Sequence, residues 1–229
     1  MDIIEPNTDT LANSIAAQIH SDIIRSGLQE GDLFMTGDQV VERYGVSRTI
    51  AREALSQLRA IGVLKSRQRK GLLVARPDPV RLTEQWVPLY CRSENRSDFI
   101  TLAQLRYTLE IGSADLAATH CTDEEIDHLA LHARQFEAVA GKEGHSQSAD
   151  RHDLAFHAHI LQMTGNPLIE GFHRVLSHYF AASTLFDKPR DATKAIREHF
   201  MIVEAFRKRD VEMTRALLRA HLGDTIGPR

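Results

Sequence analysis

Along residues 10–26 the apolar positions Leu11, Ile15, Ile19 and Ile23 recur every four residues, which places them on one helix face, and Gly27 follows as a stop. The stretch LQEGDLFM (28–35) has no such period and reads as a loop. A brief second helix is predicted over 36–44, ended by Gly45. The next stretch, 46–58, has Ser47 as N-cap and Ala51, Ala54, Leu55 and Leu58 as its apolar face, three and four apart. That spacing turns Arg48, Thr49, Arg52 and Ser56 outward. Residues 63–74 read as two short strands around a basic tip closed by Gly71. Two short helices across a glycine turn, with a hairpin behind them, form a winged helix-turn-helix, whose second helix can enter a major groove.

Beyond Arg81 the strand signals vanish. Helical periodicity predicts seven helices, over 82–91, 99–120, 123–139, 149–164, 167–186, 192–209 and 211–225. Their starts carry cap signals: Thr122 before three acids, Asn166 before Pro167, and Asp210. Short connections between helices imply an antiparallel bundle. Pro77-Asp78-Pro79 disfavours helix and stiffens the chain. The expected organisation is therefore mainly α: a DNA-binding domain over 1–76, a linker over 77–80, and an all-helical domain over 81–229.

Composition alters this picture in one place. The net charge is −3, yet Arg43 to Arg76 holds nine Lys/Arg against the single acid Glu53. A segment that basic inside an acidic protein is a candidate polyanion contact, although a solvated face would carry the same charges. Cys91 and Cys121 are far apart and fit no paired spacing, so buried thiols are expected. The apolar runs fall short of the roughly 20 residues that span a bilayer, and MDIIEPNTDT lacks a basic start and an apolar signal core. A soluble, cytoplasmic protein with no membrane contact is expected.

The string Gly45-Val-Ser-Arg-Thr-Ile-Ala-Arg-Glu-Ala-Leu55, with Gly62-Val-Leu64 and Arg69-Lys-Gly71, resembles the winged helix-turn-helix of the GntR family of bacterial transcription regulators. The resemblance covers residues 10–75. It implies that Arg48 and Arg52 contact the operator, with Thr49 and the wing glycine Gly71 at the backbone. Arg67, Arg69 and Lys70 at the wing supply charge for phosphates. An arginine fork suits guanine or phosphate, so the chemistry agrees. One departure stands out: many members carry a Pro-Ser/Ala-Glu-Arg string at the second helix, and here the matching residues are Met35-Thr36-Gly37-Asp38. An aspartate in place of that arginine would repel phosphate and alter operator choice.

The segment Arg151-His-Asp-Leu-Ala-Phe-His-Ala-His159 sets Asp153 and His157 four apart on one helix face. His199 and His221 sit on later helices among apolar neighbours. Three imidazoles and a carboxylate can bind a divalent transition ion, zinc foremost and nickel or manganese as alternatives. Spacing alone does not separate this from the ordinary case of boundary histidines satisfied by neighbours. The pattern Asp153-x2-Phe-His157-x7-Gly165-Asn-Pro, with Glu198-His199 and Ala220-His221-Leu, resembles the FCD ligand-binding domain of the FadR branch of GntR regulators. That resemblance implies a metal held by Asp153, His157, His199 and His221. It also implies a small carboxylate or sugar-acid effector beside it, with Arg106 pointing into the cavity. Arg106 can equally pair with Glu110 one turn on. His152 and His159 fall off the ligand face and are expected at solvent or boundary positions. No spacing singles out His173 or His178, and Gly144 to Ser148 reads as a polar loop.

The resemblance thus implies a homodimeric regulator, a repressor in the commoner family behaviour, on a palindromic operator. Two alternatives stay open: a regulator for which the metal itself is the signal, and a metal-dependent hydrolase or lyase with a DNA-binding head. The last lacks a residue nominated as acid or base beside the metal, and no catalytic role is assigned.

Overall fold

The computed structural model describes residues 10–67, 71–91, 95–144, 146–186, 192–223 and 226. Arg69 and Lys70 of the wing tip, and His145 of the predicted polar loop, lie outside the described residues. Two compact units meet in sequence between Asp78 and Pro79.

The first unit runs α1 (Leu11–Arg25), α2 (Gly37–Tyr44), α3 (Arg48–Ala60), β1 (Leu64–Arg67) and β2 (Gly71–Val74). Ser47 caps α3 by accepting from the Ile50 amide, and Thr36 with Gln39 closes a capping box on α2. Gly45 ends α2 at φ 62°, a left-handed conformation that costs glycine little. The strands pair antiparallel from Leu64↔Val74 to Arg67↔Gly71. Ile15, Ile19 and Ile23 pack with Val40, Ala51, Ala54, Leu55, Leu58 and the hairpin's Leu72 and Val74.

Leu11 departs from the predicted stripe. It is 58% exposed, while Ala12 and Ala16 are buried. A step of four residues overshoots one turn by about 40°, so a stripe spaced strictly by four drifts off the buried face at its end. The stretch 28–35 is also more ordered than a loop. The Gly31 amide donates to Val74 O at 2.9 Å, the Phe34 amide to Leu72 O at 2.8 Å, and Leu33 bridges Leu73. It covers the free edge of β2. Its consecutive Leu-Phe-Met shows no alternation that would have marked it.

The second unit is all helical: α4 (Pro79–Tyr90), α5 (Arg96–His120), α6 (Asp123–Glu143), α7 (Gln147–Gln162), α8 (Pro167–Gly171), α9 (His173–Phe186), α10 (Ala192–Arg207) and α11 (Val211–Gly223). Eight helices are found among the described residues, against seven predicted, because 167–186 breaks at Phe172. There the Phe172 amide turns to Ile169 O, and the His173 ring takes Glu170 O at 2.8 Å, so the helical ladder stops. Pro79 opens α4 inside the stretch read as a linker, since a first helical residue needs no amide donor.

Helix α5 is central, packed against α7 and α9 and against α11. Its alanines Ala114, Ala117 and Ala118 join Leu129, Phe156, Ile160, Ile202, Phe206 and Leu218 in one core. Farther toward its N-terminus, Phe99, Leu102 and Ala103 pack with Val87, Leu161, Leu176 and Tyr179. Between these two apolar layers lies a layer of buried polar groups.

Candidate metal centre and nucleic-acid interface

The polar layer of the helical unit gathers Asp153 and His157 from α7, His199 from α10 and His221 from α11, all buried. One ligand atom from each lies within 4.8 Å of all the others. Asp153 Oδ1 is 3.3 Å from His157 Nε2 and 3.1 Å from His199 Nε2, and His157 Nε2 is 3.2 Å from His221 Nε2. The rings are held from outside the cluster. Phe156 stacks on His199 with centroids 4.1 Å apart, and Phe136 flanks it.

Two carboxylates that sequence reading did not nominate for the site set the orientation. His157 Nδ1 donates to Glu110 Oε2 at 2.5 Å, and His221 Nδ1 donates to Glu198 Oε2 at 2.8 Å. An ionised carboxylate only accepts, so both protons sit on Nδ1 and both Nε2 lone pairs face inward. Two lone pairs facing each other at 3.2 Å repel unless a cation lies between them. Asp153 Oδ1 and His199 Nε2, although close, lack the geometry of a hydrogen bond and are buried without a partner among the described residues. Buried polar atoms left unpaired in this way are costly. A divalent ion would answer all of these demands together, so the residues present fit a transition metal with nitrogen and oxygen ligands.

Electrostatics agree with that donor set. Burial pushes the imidazoles of His199 and His221 below their ordinary range, His221 strongly so, with the neighbouring histidines adding to the effect there. Neutral rings are the ligating form. Burial opposes the charge of Asp153, yet His157 and His199, wherever they carry a second proton, outweigh it and hold the carboxyl well below its ordinary value.

Arg106 on α5 is fully buried and makes the pair with Glu110 that the sequence offered as one of its two readings. Its Nε donates to Glu110 Oε1 at 2.9 Å, while Nη1 and Nη2 have no partner among the described residues. The guanidinium lies over the Tyr179 and Phe180 rings at 4.6 and 4.7 Å. Burial works against its charge, but Glu110 holds it protonated.

The other histidines separate. His159 is buried rather than at the surface, with Nε2 on Glu125 O at 2.8 Å, so it ties α7 to α6. His152 is half-buried. His173 serves the α8 end, and His178 is half-buried with its imidazole pushed down by burial.

In the first unit the α3 N-terminus presents Arg48, Thr49 and Arg52 exposed, and Arg67 is exposed on β1. A groove of about 400 Å³ runs between α2, α3 and the hairpin, lined by Asp38, Arg48, Arg52, Arg59, Ser66 and Gly71 among others. Arg59 braces it by donating to Ser66 Oγ at 3.1 Å. Asp38 Oδ1 stands 3.3 Å from Arg48 Nη2, both side chains more than 80% exposed. Gly71 has a local structural reason as well. Its φ is 97°, and a Cβ there would meet Met35 O at 3.2 Å.

A winged helix-turn-helix with a basic exposed helix, in one chain with a helical unit built around buried histidines, defines a two-domain DNA-binding protein. The profile of the FCD domain matches residues 101–224, more than half of the chain, and that of the bacterial regulatory proteins of the gntR family matches residues 11–74. The chain belongs to the gntR family of bacterial regulatory proteins, with an FCD domain as its second unit, and is a DNA-binding transcription regulator. It is 26% identical to the HTH-type transcriptional repressor NanR of Salmonella newport (strain SL254), over 93% of this chain and 82% of that protein. It is 28% identical to the HTH-type transcriptional regulator YcbG of Bacillus subtilis (strain 168), over 89% of this chain and 83% of that one. Streptococcus agalactiae GntR shares the fold at a TM-score of 0.62 and 18% identity, covering 94% of this chain and 98% of its own. These relatives are transcription regulators, not enzymes. Among the described residues no helix is long and apolar enough to cross a membrane.

Proposed function

We propose that the protein is a cytoplasmic, homodimeric repressor whose grip on a palindromic operator is controlled by a small carboxylate or sugar acid bound beside a divalent metal. The observation that carries this reading is a pairing in the buried layer: a histidine and carboxylate donor set with orphaned atoms, and a buried guanidinium with two unengaged nitrogens. Asp153, His157, His199 and His221 hold the metal, zinc in the first instance. The ion supplies a Lewis-acidic centre that can take an oxygen ligand. Arg106 Nη1 and Nη2 bind the carboxylate by charge-assisted, bidentate hydrogen bonds. The relatives named as repressors support the sign of regulation.

On the DNA side, Arg48 and Arg52 read base edges, Thr49 and Gly71 approach the backbone, and Arg67, Arg69 and Lys70 meet phosphates. Effector binding shifts operator affinity by its differential affinity for the two placements of the DNA-binding units, and by no more than that. The test is capture of sheared genomic DNA by the purified, metal-supplied protein, with sequencing of the bound fragments. A short palindrome beside a catabolic or transport operon, released by an acid of that pathway, is the expected result. Release by free metal alone, with no acid required, would overturn the effector reading in favour of a metal sensor.

A further inference from the structure

Glu110 spends its two oxygens on two different partners. Oε1 accepts from Arg106 Nε at 2.9 Å, and Oε2 accepts from His157 Nδ1 at 2.5 Å. Arg106, Glu110 and His157 are each fully buried. Arg106 and Glu110 stand one turn apart on α5, whereas His157 comes from α7, 47 residues away. The guanidinium is hydrogen-bonded through Nε only, and its buried Nη1 and Nη2 have no hydrogen-bond partner among the described residues. Full burial keeps bulk solvent from screening one contact from the other, so each hydrogen bond polarises the next.

We infer that Glu110 is a positioning residue that couples the anion-binding guanidinium of Arg106 to the metal-ligating imidazole of His157, so that each ligand tightens the hold on the other. The inference rests on the metal and carboxylate reading proposed above. While Arg106 faces Glu110 with its charge unspent, it draws electron density toward Oε1 and weakens Oε2 as an acceptor. An anion on Nη1 and Nη2 neutralises the guanidinium, and Oε2 then pulls harder on the Nδ1 proton. A stronger acceptor at Nδ1 makes Nε2 a better donor and fixes the ring's aim, which is how carboxylates behind ligating histidines act. Linkage requires the converse: metal on His157 raises the affinity of Arg106 for the anion by the same factor. A buried counter-ion for Arg106 alone would need neither the second oxygen nor the contact across to α7.

The experiment needs no knowledge of the effector. Co²⁺, whose visible absorption reports both affinity and coordination, is titrated into the full chain and into Arg106→Met, Glu110→Gln and the double variant. Arg106→Met stands in for a neutralised guanidinium. Glu110→Gln is expected to weaken Co²⁺ binding by about 10- to 100-fold. Arg106→Met is expected to strengthen it when Glu110 is present and to lose most of that gain in the double variant, a non-additivity of about fivefold or more. Effects that multiply independently within about twofold, in a chain that binds Co²⁺ normally, would overturn the coupling and leave the metal site standing. Failure of the unaltered chain to take up Co²⁺ would overturn the metal reading and this inference with it. Thermal melting identifies any variant that does not fold. In that event Glu110→Asp, which keeps the charge but shortens the reach, is expected to lose affinity as well, and unaltered Co²⁺ binding by it would overturn the inference.

Discussion

At the scale of single residues, the metal assignment and the operator assignment are separately exposed. His199 has no carboxylate behind its Nδ1 among the described residues, and its Nε2 meets Asp153 Oδ1 at 3.1 Å inside the cluster, so its value to the fold lies there. His199→Ala is expected to lower the metal content of the purified protein while the first unit keeps its melting behaviour. Full occupancy by elemental analysis would remove His199 from the site. Arg48→Ala and Arg52→Ala are each expected to cost operator binding about 1 to 3 kcal/mol, read by fluorescence anisotropy at fixed salt. Arg48 must leave Asp38 to reach a base. An exposed pair of this kind is worth at most about 1 kcal/mol. Asp38→Asn is therefore expected to raise affinity for all sequences modestly and to steepen the salt dependence, since it removes a negative charge from the surface proposed to meet phosphate. A salt slope identical to that of the unaltered protein would place Asp38 outside the interface.

At the scale of elements, helix α8 approaches α4 closely at Gly171, where a Cβ would meet Pro79 Cβ at 2.6 Å and Pro79 C at 2.9 Å. One of those atoms belongs to the backbone, so the neighbour cannot swing aside. Gly171→Ala is expected to destabilise the helical unit by about 1 to 3 kcal/mol, seen as a lower urea midpoint. An unchanged midpoint would mean that α8 relaxes freely. Nothing in the local pattern of 167–171 announces this glycine, because the demand comes from Pro79, far earlier in the chain. The helix starts are the opposite case. Thr122 with Glu125, Asn166 with the Leu168 amide, and Asp210 with the Met213 amide all cap as their sequence suggests, since a cap is satisfied within three residues.

At the scale of the whole molecule, the buried histidines make stability depend on pH. In the unfolded chain an imidazole takes its proton near 6.5, whereas burial keeps His199 and His221 neutral to lower pH. Below that value the unfolded state binds more protons, so stability falls as the pH falls. Asp153 acts in the same direction in a lower window, below about 3.8, because its folded carboxyl ionises more readily than its unfolded one. Protons also compete with the metal for the same nitrogens. The melting temperature and the retained metal are expected to drop together between about pH 7 and pH 5. Metal retained in full at the lower pH, with no loss of melting temperature, would contradict neutral, ligating histidines.

The winged helix was legible in residues 36–74 because each of its signals is local: Ser47 caps its own helix, Gly45 ends the one before, and the face of α3 follows from the helical period. Asp153 and His157 were legible as a pair for the same reason, and the family resemblance joined His199 and His221 to them. The edge segment at 31–35 was not, since its hydrogen bonds are made to β2, on the far side of two helices and a strand. Glu110 could be paired in advance only with Arg106, one turn away on the same helix. That its other oxygen turns the His157 ring, and that the outer nitrogens of Arg106 are buried without a hydrogen-bond partner among the described residues, follow from how the helices pack. Periodicity says which face of a helix is buried; which two polar groups meet there depends on the rotation and depth at which helices distant in sequence come together.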